Sequence, residues 1–494
     1  MLYLMDPTQR NQYHNSVMTQ MPKVKLTSIT LLAGWLLPLL AIAEDWPTYM
    51  HDNARSGVSA ESLDLPLAEQ WVYLPPAEPK SAWADPQNPA RRPELPKIGF
   101  DDAFQVALAG DTVYFGSPVD NGVHALDAAT GARRWTFFTA GPVWLAPSVA
   151  GGRVYAGSDD GAVYCLDAKT GHLVWSMRPM EGATRILGAG RVMSLWPVRT
   201  GVLVDGGVAY CGAGIFPTRG TAVFALEAES GKLIWKTPQN PNEARSPLPL
   251  SPQGYLLLSS MQVYVPCGRA RPLTYARSDG TLRAALAKSA DIVQHDKAGD
   301  YGVLVDDILY IGTQNILHGY KPDGEHVSEI RDARQLVVTT NRCFQLSTPL
   351  PLPNPKFKPV TAEQNSTVTA INRAAIADAG RKGTLTEGAV RWTYERTRLQ
   401  MIIAAGSNVF VGAANEVIVL DAATGGEVWK SKVDGLAKGL AVANGRLVVS
   451  TDKGRIHCFA NKSVFVATAL RAVSDPDSPS VSRKSADADA VRVS

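Results

Sequence analysis

Short apolar runs, broken by Gly and Asp, fill the chain across residues 45–460. Val154-Tyr155-Ala156 and Val163-Tyr164-Cys165-Leu166 are representative. β-branched and aromatic residues in such runs favour strands, because their side chains pack well on a pleated surface. Asp159-Asp160-Gly161 and Thr170-Gly171 stand between the runs. These residue types supply the positive φ and local hydrogen bonds that tight turns need. No segment after residue 45 keeps apolar residues at the helical period, so the pattern predicts many short strands and almost no helix.

The runs repeat as a phrase. Gly152-Arg153-Val154-Tyr155-Ala156-Gly157-Ser158 leads to Gly161-Ala162-Val163-Tyr164-Cys165-Leu166-Asp167-Ala168-Lys169-Thr170-Gly171, and Trp175 closes the unit. One unit earlier, Ala125-Leu126-Asp127-Ala128-Ala129-Thr130-Gly131 precedes Trp135, so the two tryptophans are about 40 residues apart, a repeat-protein period. The phrase returns at Ala225–Gly231 with Trp235 and at Val419–Gly425 with Trp429. Worn copies run from Tyr264 to Gly280, from Ile308 to Gly324 and from Val368 to Trp392, with a Pro-rich insertion at 349–359. Each unit reads as four strands, and four-stranded units of this length predict the blades of a β-propeller. Closing strands near 71, 135, 175, 235, 282, 328, 392 and 429 predict about eight of them. The final unit, Gly445 to Phe459, has no closing strand, whereas Leu67–Tyr73 is a closing strand with no unit before it. The expectation is an all-β, eight-bladed propeller whose ring is closed by that N-terminal strand, which removes exposed sheet edges. The tryptophans are expected to pack against the next blade, and Asp127, Asp167 and Asp421 to build turns.

Composition adds limits. With 45% hydrophobic and 19% charged residues among 494, the chain is of ordinary globular character. A net charge of +3 offers no basic footprint for nucleic acid. Lys23 and Lys25 precede the apolar stretch Leu26–Leu40, and Ala41-Ile42-Ala43 follows. That order predicts a secretory signal over 1–43, with an extended N-terminal region and Met18 or Met21 as alternative starts. The competing reading is an uncleaved anchor, for which the apolar run is near the minimum length. The predicted organisation is 1–43 signal, 44–462 propeller and 463–494 a polar, disordered tail, in a periplasmic or extracellular protein. Export permits disulfides, but Cys165, Cys211, Cys267, Cys343 and Cys458 fall in separate units and read as small buried apolar residues.

The phrase resembles the repeat of the pyrroloquinoline-quinone (PQQ) quinoprotein family across nearly all of 45–460. Asp45-Trp46-Pro47 followed by Arg55-Ser56-Gly57 also looks like the opening strand of such propellers. The resemblance implies two contrasting activities. One is PQQ-dependent oxidation of alcohols or sugars; the other is the non-catalytic role of BamB-like propellers in outer-membrane protein assembly. The sequence has no adjacent cysteine pair and no C-x-x-C-H haem motif, features that accompany many of the dehydrogenases. No aspartate matches the catalytic one, and no cysteine near residue 43 matches the lipidation site of BamB-like proteins. The first expectation is therefore a non-catalytic envelope propeller that binds a protein partner or an envelope ligand, with no cofactor and no metal. A PQQ- and calcium-dependent oxidoreductase is the second and a carbohydrate-binding propeller the third. Ligands of propellers sit where loops enter the innermost strands, which here carry Asp101, Asp102, Trp144, Trp196, Arg199, Arg245, Asp300, Arg398 and Lys438. Trp and Arg together can stack on and grip an anionic or cyclic ligand, or anchor a partner. The plainer expectation for the same set is that its arginines and aspartates pair with one another.

Overall fold

A computed structural model describes residues 44–82, 101–182, 184–188, 190–237, 250–268, 270–285, 301–313, 316–348, 365–378, 380, 383 and 385–461. The predicted signal (1–43), the Pro-rich insertion, the tail (463–494), Arg245 and Asp300 lie outside the described residues.

The regular structure of the described residues is strand apart from one short α-helix, Arg373–Asp378, and one 3-10 turn, Pro217–Arg219. Six four-stranded antiparallel sheets follow one another at 106–138, 148–177, 203–236, 257–285, 301–331 and 335–397. They are called the first to sixth sheets. A seven-stranded sheet then runs in the order Val58–Ser59, Met401–Ala405, Asn408–Asp421, Glu427–Ala443, Arg446–Thr451, Ile456–Ala460, Ala68–Tyr73. Its long strands serve twice. Glu427–Lys432 pairs back onto Glu416–Leu420, while Ala437–Ala443 pairs forward onto Arg446–Thr451. Tyr73↔Ile456 and Trp71↔Cys458 show the N-terminal strand completing the last set, as the lone closing strand requires. The first strands of the first and second, second and third, fourth and fifth, and fifth and sixth sheets lie against one another, and that of the first sheet lies against Glu427–Ala443. This is the radial order of an all-β propeller.

The repeated phrase has a direct physical cause. Each sheet's closing tryptophan reaches the next sheet's turn, where its indole N–H donates to a backbone carbonyl. Trp71 bonds Ala128 (3.0 Å), Trp135 Ala168 (3.0 Å), Trp175 Ala228 (2.9 Å), Trp235 Arg277 (3.0 Å) and Trp392 Ala422 (3.2 Å). The ring lies on the turn's glycine: a Cβ at Gly171 would stand 2.5 Å from Cδ2 of Trp135. Gly171 also has φ +72°, so the position excludes a side chain on two counts. Asp and Thr of the phrase shape the turn; Asp167 Oδ1 accepts from the Thr170 amide (2.9 Å) and hydroxyl (2.8 Å). Where the turn is lost, so is the tryptophan. Ala284 and Ser328 occupy its register in the fourth and fifth sheets, where the next sheet has the turn Lys321–Gly324 or the helix Arg373–Asp378 in place of the phrase.

Two predictions arise here. Gly171→Ala is expected to cost about 2 kcal/mol or more, from positive-φ strain plus the collision with Trp135. Gly110→Ala, at φ +56° with nothing within 4 Å of the added Cβ, is expected to cost about 1 kcal/mol from strain alone. Denaturant midpoints distinguish the two, and equal losses would show that the Trp–Gly contact contributes nothing. The second concerns acid. Hydrogen bonds from Thr170 and Thr424 hold the Asp167 and Asp421 carboxyls below the ordinary aspartate value. Their contribution is present above about pH 3.9 and is lost as pH falls through the depressed folded values. Asp167→Asn and Asp421→Asn should therefore flatten the stability profile below about pH 4, and unchanged profiles would count against these turns as titrating contacts.

Candidate functional site

The N-terminal segment positions the centre of the molecule. From Trp46 to Glu61 it bonds to sheet after sheet in order. Trp46 pairs with Leu108 of the first sheet (N–H to O 2.7 Å), and the Pro47 carbonyl accepts from Val149 of the second (2.8 Å). Asn53 donates to Val204 of the third (3.0 Å), and its carbonyl accepts from Leu258 of the fourth (2.9 Å). The Ala54 carbonyl accepts from Leu304 of the fifth (2.9 Å), the Gly57 carbonyl accepts from Ala404 (2.9 Å), and Glu61 accepts from the Asn444 amide (2.7 Å). The opening phrase of the sequence is thus a collar across the first strands. Its turn places Met50, His51 and Arg55 at φ 56°, 76° and 61°, which side chains adopt only when held there. Arg55, 1% exposed, holds it. Its guanidinium donates to Leu256 O (2.9 Å), Thr48 Oγ1 (3.0 Å), Tyr49 O (3.0 Å) and Asp52 O (3.1 Å). Burial pushes it down to about 10, so it stays charged at neutral pH.

Tyr49 of the collar stacks on Tyr255 (centroids 3.8 Å, 7°), and the Tyr255 hydroxyl accepts from the Ala146 amide (2.8 Å). Beside this stack Trp144, Leu145, Ala146 and Ala82 form one buried cluster. Here the loops before the first strands of the first three sheets meet the turn between Arg153–Gly157 and Val163–Asp167, and together they carry a charged core. Arg199 grips Asp159 with both arms, Nε to Oδ1 at 2.8 Å and Nη2 to Oδ2 at 2.6 Å. Asp159 Oδ2 also accepts from the Trp144 indole (2.8 Å), and the Arg199 guanidinium lies 5.3 Å from the Trp144 ring centre. Asp101 accepts from Ser81 (2.7 Å) and the Ala82 amide (2.9 Å). Burial pushes its carboxyl up, Asp102 adds to the shift, and Arg199 opposes it. Asp102 forms an ion pair with Lys438.

Of the residues singled out from sequence, the structure therefore joins Asp101, Trp144 and Arg199, with Asp102–Lys438 as a second pair. Trp196 is half-buried at the foot of a separate hairpin, its indole donating to Arg219 O (2.7 Å). Arg398 is exposed at φ 55° and its carbonyl accepts from Gln400 (3.0 Å), outside the cluster. Sequence reasoning missed Asp159, Tyr49 and Tyr255. Asp159 sits in Asp-Asp-Gly, which reads as a turn, and the two tyrosines carry no motif. The five cysteines are buried free thiols, and burial raises those of Cys211, Cys267 and Cys458 to about 12 and that of Cys165 to about 11. Thiols so held are inert at neutral pH.

PQQ, a tricarboxylate, would need cations to receive it. Arg199 and Lys438 are each neutralised by an aspartate, and the buried Asp101 adds a further acidic group. Both cations of the loops are thus committed to carboxylates, and the pairs do not fit an anionic quinone as arranged. Trp144, 6% exposed and covered by Arg199, presents no open face to a sugar.

Against this geometry the comparisons are decisive for family. The family model described as outer membrane protein assembly factor BamB matches residues 82–194, 120–296 and 413–477, more than half of the chain. The chain belongs to this family. The crystal structure of BamB from Moraxella catarrhalis superposes with a TM-score of 0.50 at 17% identity, covering 74% of this chain and 98% of that one. A quinohemoprotein alcohol dehydrogenase from Comamonas testosteroni gives 0.57 at 14% identity, covering 84% and 80%. Both show the shared propeller fold. In sequence, the dehydrogenase subunit of a quinone alcohol dehydrogenase of Komagataeibacter europaeus is 29% identical over 163 residues, 29% of this chain and 21% of the relative. The chain thus spans about a fifth of that relative's length, and the fold is shared by proteins named as an assembly factor and as alcohol dehydrogenases.

Proposed function

We propose that this chain is an exported, non-catalytic propeller that binds a protein partner beside the mouth of its central channel. The observation that carries this reading is the hairpin of Arg185–Gly188 and Arg191–Ser194, which belongs to none of the larger sheets. Leu187 and Val192 face each other across it and are 81% and 52% exposed. A cross-strand apolar pair left in water is stabilised by a partner that covers it. The hairpin is also anchored to the charged core, because the Ser194 amide donates to the Asp159 carbonyl (2.7 Å). Arg191 donates to the Pro118 carbonyl of the first sheet, which fixes the hairpin's orientation. A preformed apolar edge on a rigid scaffold is a common anchor of protein interfaces. Membership of a family described by an outer-membrane assembly factor supports an envelope setting, and the sequence 23–43 supports export. The similarity to quinone alcohol dehydrogenases supports a second reading, an oxidoreductase, against which the neutralised cations count.

The test compares the wild-type protein with a Leu187→Asp/Val192→Asp double variant as baits in envelope extracts of the source cells. The proposal expects specific proteins recovered by the wild type and lost from the variant, at unchanged melting temperature. An identical recovered set would refute the hairpin as the docking element.

A further inference from the structure

We propose that His318, His326 and Glu329 of the fifth sheet bind a zinc-class divalent metal ion. His318 lies on Ile316–Tyr320 and the other two on the neighbouring His326–Arg331 strand. His318 stands opposite Glu329 and Tyr320 opposite His326. A register shift between Gly319 and Tyr320 places an extra residue in the second strand. Such a bulge re-aims side chains, and the two imidazole centres lie 5.4 Å apart. One ligand atom from each of the three residues falls within 4.8 Å of the others, and His318 Nδ1 is 3.6 Å from Glu329 Oε1. Bonds of about 2.0–2.2 Å to zinc place tetrahedral ligand atoms roughly 3.3–3.5 Å apart, a closure that modest side-chain rotations supply.

The surroundings favour an ion. The side chains of His318 and Glu329 are 2% and 18% exposed, so little water competes for them. Arg331 approaches Glu329 Oε2 at 3.4 Å, leaving Oε1 on the histidine side. Tyr320 lines the site, its ring centre 5.3 Å from that of His326. Two imidazoles and one carboxylate select zinc, copper, nickel or cobalt over calcium and magnesium, which prefer all-oxygen sites. Three protein ligands leave a fourth position for water. The site also lies at an unusual junction. The fourth sheet carries Ala284 where the tryptophan stands elsewhere, and Ala284 and Tyr320 share one buried cluster. The Pro322 carbonyl, at the position that elsewhere receives the indole N–H, accepts instead from Gln262 (3.1 Å). An ion tying the last two strands of the fifth sheet reinforces the junction where that dock is missing.

The experiment uses the full chain after chelator treatment and dialysis. Calorimetric titration with Zn²⁺ is expected to show one ion bound per chain, with a rise in melting temperature. Co²⁺ is expected to give the intense visible bands of a tetrahedral site. His326→Ala should weaken binding more than about 100-fold and Glu329→Gln at least about tenfold, while the exposed His172→Ala changes nothing. Both ligand variants are at partly exposed positions, and circular dichroism checks that they fold. No Zn²⁺ binding, unchanged affinity in folded His326→Ala, or displacement of Zn²⁺ by equimolar Ca²⁺ would each overturn the proposal.

Discussion

Replacing Arg55 by methionine is expected to destabilise the protein by about 3–5 kcal/mol, measured as a shifted denaturant midpoint. The side chain is 1% exposed and holds four oxygens from the collar and the fourth sheet. Methionine fills most of the volume but leaves the buried Leu256 carbonyl without this donor, at about 1–3 kcal/mol, and removes the part-buried bonds to the Tyr49 and Asp52 carbonyls. It also releases a turn with three non-glycine residues at positive φ, which the guanidinium helps to hold. Arg55→Lys retains the charge but not the planar fork, and is expected to recover less than half of the loss. A loss below about 1 kcal/mol would show that the collar is not tied to the sheets through Arg55.

The second large effect concerns Asp159. Asp159→Asn keeps an acceptor for the Trp144 indole but leaves Arg199 charged and buried, with an expected loss of about 3–5 kcal/mol. Arg199→Met combined with Asp159→Leu removes both charges and is expected to lose less than Asp159→Asn alone, since a buried pair is costly to halve and cheap to replace whole. A double-mutant cycle reads the coupling, and additive losses would mean that the bidentate geometry carries no energy. The comparison also bears on function, because the same pair neutralises the cation that an anionic ligand at the channel mouth would need.

The fold was legible because its rule is local and repeated. Asp-Ala-x-Thr-Gly followed by Trp is visible at 127–135, and the structure explains the spacing: each Trp needs a glycine and a free carbonyl in the following unit. The worn units were legible only as strands, since Ala284 and Ser328 give no sign that they stand in a tryptophan's register. The path of Trp46–Glu61 was not readable, because a collar bonded through its backbone leaves little trace in side-chain pattern. At the site, Trp144 and Arg199 were found from residue type and loop position. Asp159 was not, because its turn sequence accounts for it without reference to Arg199 40 residues away. His318 and His326 leave no sign in the sequence for a similar reason: they stand on two strands, and only the pairing of those strands brings them together.

The most direct test of the central reading is calorimetric titration of the folded protein with PQQ in the presence of Ca²⁺, followed by a dye-linked assay with alcohols and sugars. A non-catalytic propeller whose channel-mouth cations are already paired predicts no saturable heat and no turnover. Saturable binding with dye reduction would contradict it and make the chain an oxidoreductase that opens the Arg199–Asp159 and Lys438–Asp102 pairs to receive its quinone.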